Sequence, residues 1–122
     1  MHWANEFVGL PHVKLGRGPN AFDCLGLLIE VHRRVWGREI RDPACSFAKG
    51  LRPENRVVLE SQVVEVNVPR EGDALLFREQ GRALHVGVAI NENDMLHSYR
   101  TAATIERWTG PNWLPRLAGI FR

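Results

Sequence analysis

Cys24 follows an aspartate in the stretch GPNAFDCLGLLIEVHRR, where a loop rich in glycine and proline gives way to a helical pattern. A thiol at a helix N-terminus stands among unpaired backbone N–H groups, at the positive end of the macrodipole. Such surroundings favour the thiolate, the nucleophilic form, over a free thiol with its pKa of about 8.5. Cysteine is also among the most buried residue types, so position alone leaves a small buried hydrophobe equally open. A base has to decide. His85 opens HVGVAI and His97 lies in MLHSY twelve residues on, with the turn-like NEND between them. If these segments are antiparallel strands, any register whose paired numbers have an even sum puts both rings on one face. His85 would then take the thiol proton, and His97 would hold its second nitrogen and fix its tautomer. The residues alone leave open two unconnected histidines at strand edges. Of the others, His2 reads as exposed and His32 as solvated, opposite Leu27 and Leu28 on its helix. His12 lies in the loop leading to Cys24.

The elements that must position these residues show in the pattern. HWANEFVGL reads as a short helix closed by Gly9 and Pro11, followed by the loop PHVKLGRGPNAF. Asp23 is an N-cap for a helix from Cys24 to about Trp36, with Gly37 as its terminator. Leu27, Leu28, Val31 and Val35 follow Cys24 at helical spacing. RDPACSFAKGLRP is irregular. Pro53 opens a short helix through ENRVVLESQ, although VVEVNV beside it alternates like a strand. After Arg70 come the short strand patterns DALLF, HVGVAI, DMLHSY and TIERW, with a last one near AGIFR. This order predicts an α+β fold, with N-terminal helices packed on a central antiparallel sheet and the thiol at a helix mouth.

The 122 residues suffice for one domain, residues 1–122, and not for two. A hydrophobic share of 44% and a charged share of 25% belong to a globular protein. Sixteen basic residues face 14 acidic ones, and no basic run exceeds Arg33-Arg34, so no nucleic-acid partner is expected. No apolar stretch approaches the roughly 20 residues of a membrane span, and MHWANEFVGLP lacks the features of a secretory signal. Cytoplasmic synthesis without membrane insertion is the expectation, with Cys24 and Cys45 as two reduced thiols. A zinc site built from Cys24, His85, His97 and His12 is a lesser reading, because closely spaced pairs such as C-x₂-C or H-E-x-x-H are missing. No metal or cofactor is expected.

FDCLGLL, REGDALLF, HVGVAI and LHS, in this order between about Phe7 and Phe121, resemble the NlpC-type cell-wall cysteine peptidases, compact papain-like domains. Members carry Asp-Cys-Ser-Gly at a helix start, a Gly-Asp pair leading into a strand, a His-Val-Gly-like strand and a later polar residue. Here these fall on Asp23-Cys24-Leu25-Gly26, Gly72-Asp73, His85-Val86-Gly87 and His97. The opening W…FVGLPHVKLGRGPNAFDC and the close RLAGIFR resemble the branch found in tail-tip assembly proteins of bacteriophages and prophages. The resemblance implies Cys24, His85 and His97 as catalytic residues, with His12, Asp23 and Leu25 on the oxyanion and substrate-binding side. It implies a peptidoglycan stem peptide as substrate, the bond after γ-D-glutamate being favoured. It also implies phage tail-tip proteins as partners, and a place in the virion tail acting at the bacterial cell wall. Leu25 replaces the usual serine, and His12 stands where a tyrosine commonly offers a donor to the developing oxyanion. These two departures speak for the competing reading, a structural tail-assembly subunit that keeps the fold without catalysis. Related folds also use such a triad for acyl transfer or deamidation.

Overall fold

In the computed structural model, which describes residues 2–122, the helix that begins at Cys24 runs to Trp36 (α1, Cys24–Trp36). Local chemistry sets both of its ends. Asp23 is extended and its carboxylate accepts the Gly26 N–H at 2.7 Å, a cap worth about 1 kcal/mol. Gly37 takes the left-handed conformation (φ 64°), and its N–H closes on the Arg33 and His32 carbonyls. The N-terminal segment forms only a 3₁₀ turn, Trp3–Glu6, shorter than the helix HWANEFVGL expected there. A second helix, α2 (Pro53–Glu60), begins with its proline.

Of the alternating VVEVNV only β1 (Glu65–Val66) forms. It is an edge strand paired through Glu65↔Phe121, and Val64 and Val68 are exposed, so alternation there buries no second face. The remaining strands are β2 (Ala74–Arg78), β3 (Leu84–Ala89), β4 (Asp94–Tyr99), β5 (Ala102–Arg107) and β6 (Leu117–Phe121). All neighbours are antiparallel in the order β1-β6-β2-β3-β4-β5. The architecture is the expected α+β.

Alternation along the strands makes two cores. Val86, Val88 and Leu96 meet Leu25, Leu27, Leu28 and Val31 of α1 on one face. Leu75, Phe77, Ala89, Met95 and Ile120 pack with Trp108 and Trp113 on the other. His32 departs from its expected solvated place. It follows Leu28 by one helical turn, is 8% exposed, and its Nε2–H donates to the Gly72 carbonyl at 2.7 Å. The buried stripe of α1 is wider than its leucines indicate. Among the described residues, no helix is long and apolar enough to cross a membrane.

Candidate active site

The β3–β4 ladder pairs Val88 with Leu96 and Ala89 with Met95, a register of even sum that puts His85 and His97 on one face. It is the face away from α1. Trp113 walls it, with its ring centroid 5.0 Å from that of His85 and 5.2 Å from that of His97. Tyr99 stacks on His97 at 5.6 Å. Here His85 Nε2 lies 2.8 Å from His97 Nδ1, and His97 Nε2 lies 3.0 Å from Glu106 Oε1 on β5. Both imidazoles are buried, at 4% and 1% exposure.

Cys24 approaches from the other side of the sheet. The β3–β4 ladder holds only at its two pairs, and towards His85 and Tyr99 the strands border a cleft of about 730 Å³. Cys24, Asp23, His12, His85, Ser98 and Tyr99 all line it. Cys24 is half-buried, with its sulphur facing the N–H groups of Val86 and Leu25. Among the described residues the thiol makes no hydrogen bond to His85; the two residues line the same cleft. Burial pushes the thiol up to about 12, and the Asp23 carboxylate pushes the same way, against the two N–H groups. Desolvation thus outweighs the helix mouth, and the thiolate expected at rest is a thiol instead. Burial also holds His85 well below the ordinary histidine range, helped by the positive charge that His97, His12 and Arg116 would place beside it. The resting pair is a neutral thiol and a neutral imidazole, which suits proton transfer during attack rather than before it.

The loop before α1 supplies the third wall. Arg17 donates to Asp23 at 2.7 Å, to Asp42 at 2.6 Å and to the Cys45 carbonyl at 2.9 Å, tying the capping residue to the 42–45 segment. Asp23 Oδ1 is therefore shared by the Gly26 N–H and Arg17. His12 Nδ1 lies 2.8 Å from Ser98 Oγ, and that hydroxyl donates to the Phe22 carbonyl at 2.8 Å. A serine hydroxyl has one hydrogen, so His12 Nδ1 must donate, and Nε2 of the neutral ring is bare. His12 offers the cleft an N–H only when protonated, so any donation from it depends on pH. Leu25, placed by sequence on the substrate side, is 1% exposed and packs into the core beneath α1. Only its backbone N–H reaches the sulphur. The two imidazoles turn to one another, and among the described residues no three His, Cys, Asp or Glu side chains converge to hold a metal ion.

Sequence reasoning missed Glu106, Ser98, Trp113 and Arg17. Ser98 was within reach, being the residue after His97. Glu106 was hidden by the turn: RTAA read as a separator, whereas Tyr99 pairs with Ala102 across a two-residue turn, so His97 faces Thr104. Glu106 then lies two residues along on the same face.

The sequence profile of the NlpC/P60 family matches residues 9–122. No curated protein matches the chain. Among solved structures, it is similar to the NlpC/p60 domain of the peptidoglycan hydrolase SagA, at 22% identity and a TM-score of 0.68, covering 98% of this chain and 92% of that one. An NlpC/P60 family protein from Bacillus cereus ATCC 10987 aligns at 24% identity and a TM-score of 0.73, covering 98% of this chain and 37% of that one. A lipoprotein-like NLP/P60 family protein from Staphylococcus aureus subsp. aureus Mu50 aligns at 21% and 0.72, covering 98% and 38%. The chain thus spans less than two-fifths of the latter two. At these identities the likeness shows the fold, which is the papain-like NlpC/P60 architecture.

Proposed function

The chain belongs to the NlpC/P60 family, and on that premise we propose that it is a cysteine peptidase of peptidoglycan stem peptides, favouring the bond after γ-D-glutamate. The observation that carries this reading is that Cys24 and His85 line one cleft while the far nitrogen of His85 is held at 2.8 Å by His97. In the proposed reaction the sulphur of Cys24 attacks the amide carbonyl as its proton passes to His85 Nδ1, the nitrogen that His97 leaves free. The N–H of Cys24 has no backbone partner among the described residues and faces the growing negative charge on the carbonyl oxygen, with protonated His12 as a second donor. The His85 imidazolium then gives its proton to the departing amine, the C–N bond breaks, and a thioester to Cys24 remains. Water, deprotonated by neutral His85, attacks that thioester and releases the acid and the thiol.

The charges of the cleft support an acidic peptide. Lys14 and Arg100 line it with no ion-pair partner among the described residues, while Glu79 is already engaged by Arg116 at 3.1 Å. A γ-linked glutamate keeps its α-carboxylate free, and these two cations are where such a group would be drawn. Synthesis in the cytoplasm, assembly with tail-tip proteins of a phage or prophage, and action at the cell wall complete the proposal. Its support is the likeness of the segments before Cys24 and at RLAGIFR to that branch. The test is incubation of the full chain with purified muropeptides and mass spectrometry of the products. Cleavage after γ-D-glutamate that Cys24→Ala abolishes is the expected result. Muropeptides left intact at every protein concentration would favour a tail subunit without catalysis, and products gaining an acyl acceptor or losing ammonia would redirect the reaction class.

A further inference from the structure

Beyond the three residues of the proposed reaction, the buried imidazole pair ends on a fourth side chain. Glu106 lies two residues past Thr104, the partner of His97 across β4 and β5, and its Oε1 meets His97 Nε2 at 3.0 Å. The glutamate side chain is 36% exposed, while that of His97 is fully buried. A carboxylate can only accept, so His97 Nε2 carries a hydrogen. A neutral His97 then has a bare Nδ1, and the hydrogen in the 2.8 Å contact belongs to His85 Nε2. His85 is left with a bare Nδ1. The reversed chain would set a bare His97 Nε2 against the carboxylate, lone pair to lone pair, 3.0 Å apart.

We propose that Glu106 is a positioning residue that selects the tautomers of both imidazoles, so that the one free nitrogen of His85 is a proton acceptor. The aromatic wall holds the ring planes, with Trp113 5.2 Å from His97 and Tyr99 stacked on it, but rings of carbon and π-electrons do not choose which nitrogen is protonated. Glu106 makes that choice. It also places a negative charge at the far end of the pair when His85 takes up a proton. The effect on rate rests on the reading of Cys24 and His85 as nucleophile and base; the tautomers are a property of the protein without substrate.

The experiment is long-range ¹H–¹⁵N NMR of the histidine rings in the ¹⁵N-labelled full chain at neutral pH, for the wild type, Glu106→Gln and Glu106→Asp. Both rings of the wild type are expected to carry hydrogen on Nε2 alone. Glu106→Gln, whose amide donates as well as accepts, should give His97 mixed ring shifts, and Glu106→Asp should restore the single form. On a peptide substrate, Glu106→Gln should lower kcat about 10–100-fold, with KM changed by less than about 2-fold and most of the loss recovered in Glu106→Asp. Hydrogen on Nδ1 of His97 in the wild type, or ring shifts unaffected by Glu106→Gln, overturns the proposal. If the wild type cleaves no peptide while its tautomers follow residue 106, the peptidase reading falls and this one stands.

Discussion

At Cys24 two effects compete: the amide-rich mouth of α1 favours a thiolate, and loss of water disfavours it. The second wins, holding the thiol up to about 12. Iodoacetamide reacts with the thiolate, so alkylation at Cys24 should climb about tenfold per pH unit from pH 7 to 10 with no plateau. A plateau reached below pH 8 would mean a preformed ion pair and a different reaction order of events. His12 presents a related contest. Its only neutral N–H is committed to Ser98 at 2.8 Å, so only the protonated ring can donate to an oxyanion. His12→Phe should lower kcat by up to about 10²-fold where the ring is protonated and less as pH rises, and His12→Tyr should match or exceed the wild type across the range. Equal rates in all three proteins would remove residue 12 from the chemistry. The same-face condition for His85 and His97 was legible as a matter of strand parity, while the register that meets it was not. Nor was the protonation state of Cys24, since the desolvation that raises it comes from the folded packing around the thiol and no helix-end argument contains it.

At the scale of elements, α1 and the loop before it act as one unit. A Cβ on Gly26 would sit 2.0 Å from the Gly16 carbonyl oxygen, a backbone atom with nowhere to move. A Cβ on Gly87 would meet Met95 at 2.6 Å, but at Sδ, the end of a flexible side chain. Gly26→Ala should therefore cost more than about 3 kcal/mol, and Gly87→Ala about 1 kcal/mol, by urea unfolding. The reverse order would mean that the loop, not the methionine, is the yielding part. Asp23→Ala removes a cap and an Arg17 partner and belongs between them, at about 1–2 kcal/mol. Sequence patterns located these elements well where periodicity and caps agreed, as at Asp23, Gly37 and β2 to β4. They failed where only one signal was present. VVEVNV alternates, yet it lies at an edge with solvent on both sides of Val64 and Val68. His32 is polar, yet the Gly72 carbonyl waits for it under the helix.

At the scale of the whole molecule, the same burial that prepares the cleft fixes the pH range in which the chain is folded. His32, His85 and His97 are all held below the ordinary value of 6.5, each first by desolvation. The unfolded chain therefore binds more protons than the folded one as pH falls below about 6.5. Stability present above that pH is lost on acidification, by up to about 1.4 kcal/mol per pH unit for each histidine and at most about 4 for the three together. Cys24 acts at the other end. Its thiol is released near 9 when unfolded and about 12 when folded, so stability declines by up to about 1.4 kcal/mol per unit as pH rises through that interval. Urea unfolding from pH 4 to 11 should show a maximum between about 6.5 and 9. His32→Gln, whose amide can still donate to the Gly72 carbonyl, should shallow the acid limb without touching the cleft. A profile flat between pH 5 and 7 would mean that the three rings take up protons as readily folded as unfolded, and below about 6.5 a protonated His85 could accept nothing from Cys24. The range in which this protein holds together is thus a range in which His85 is neutral, as the proposed role of proton acceptor requires.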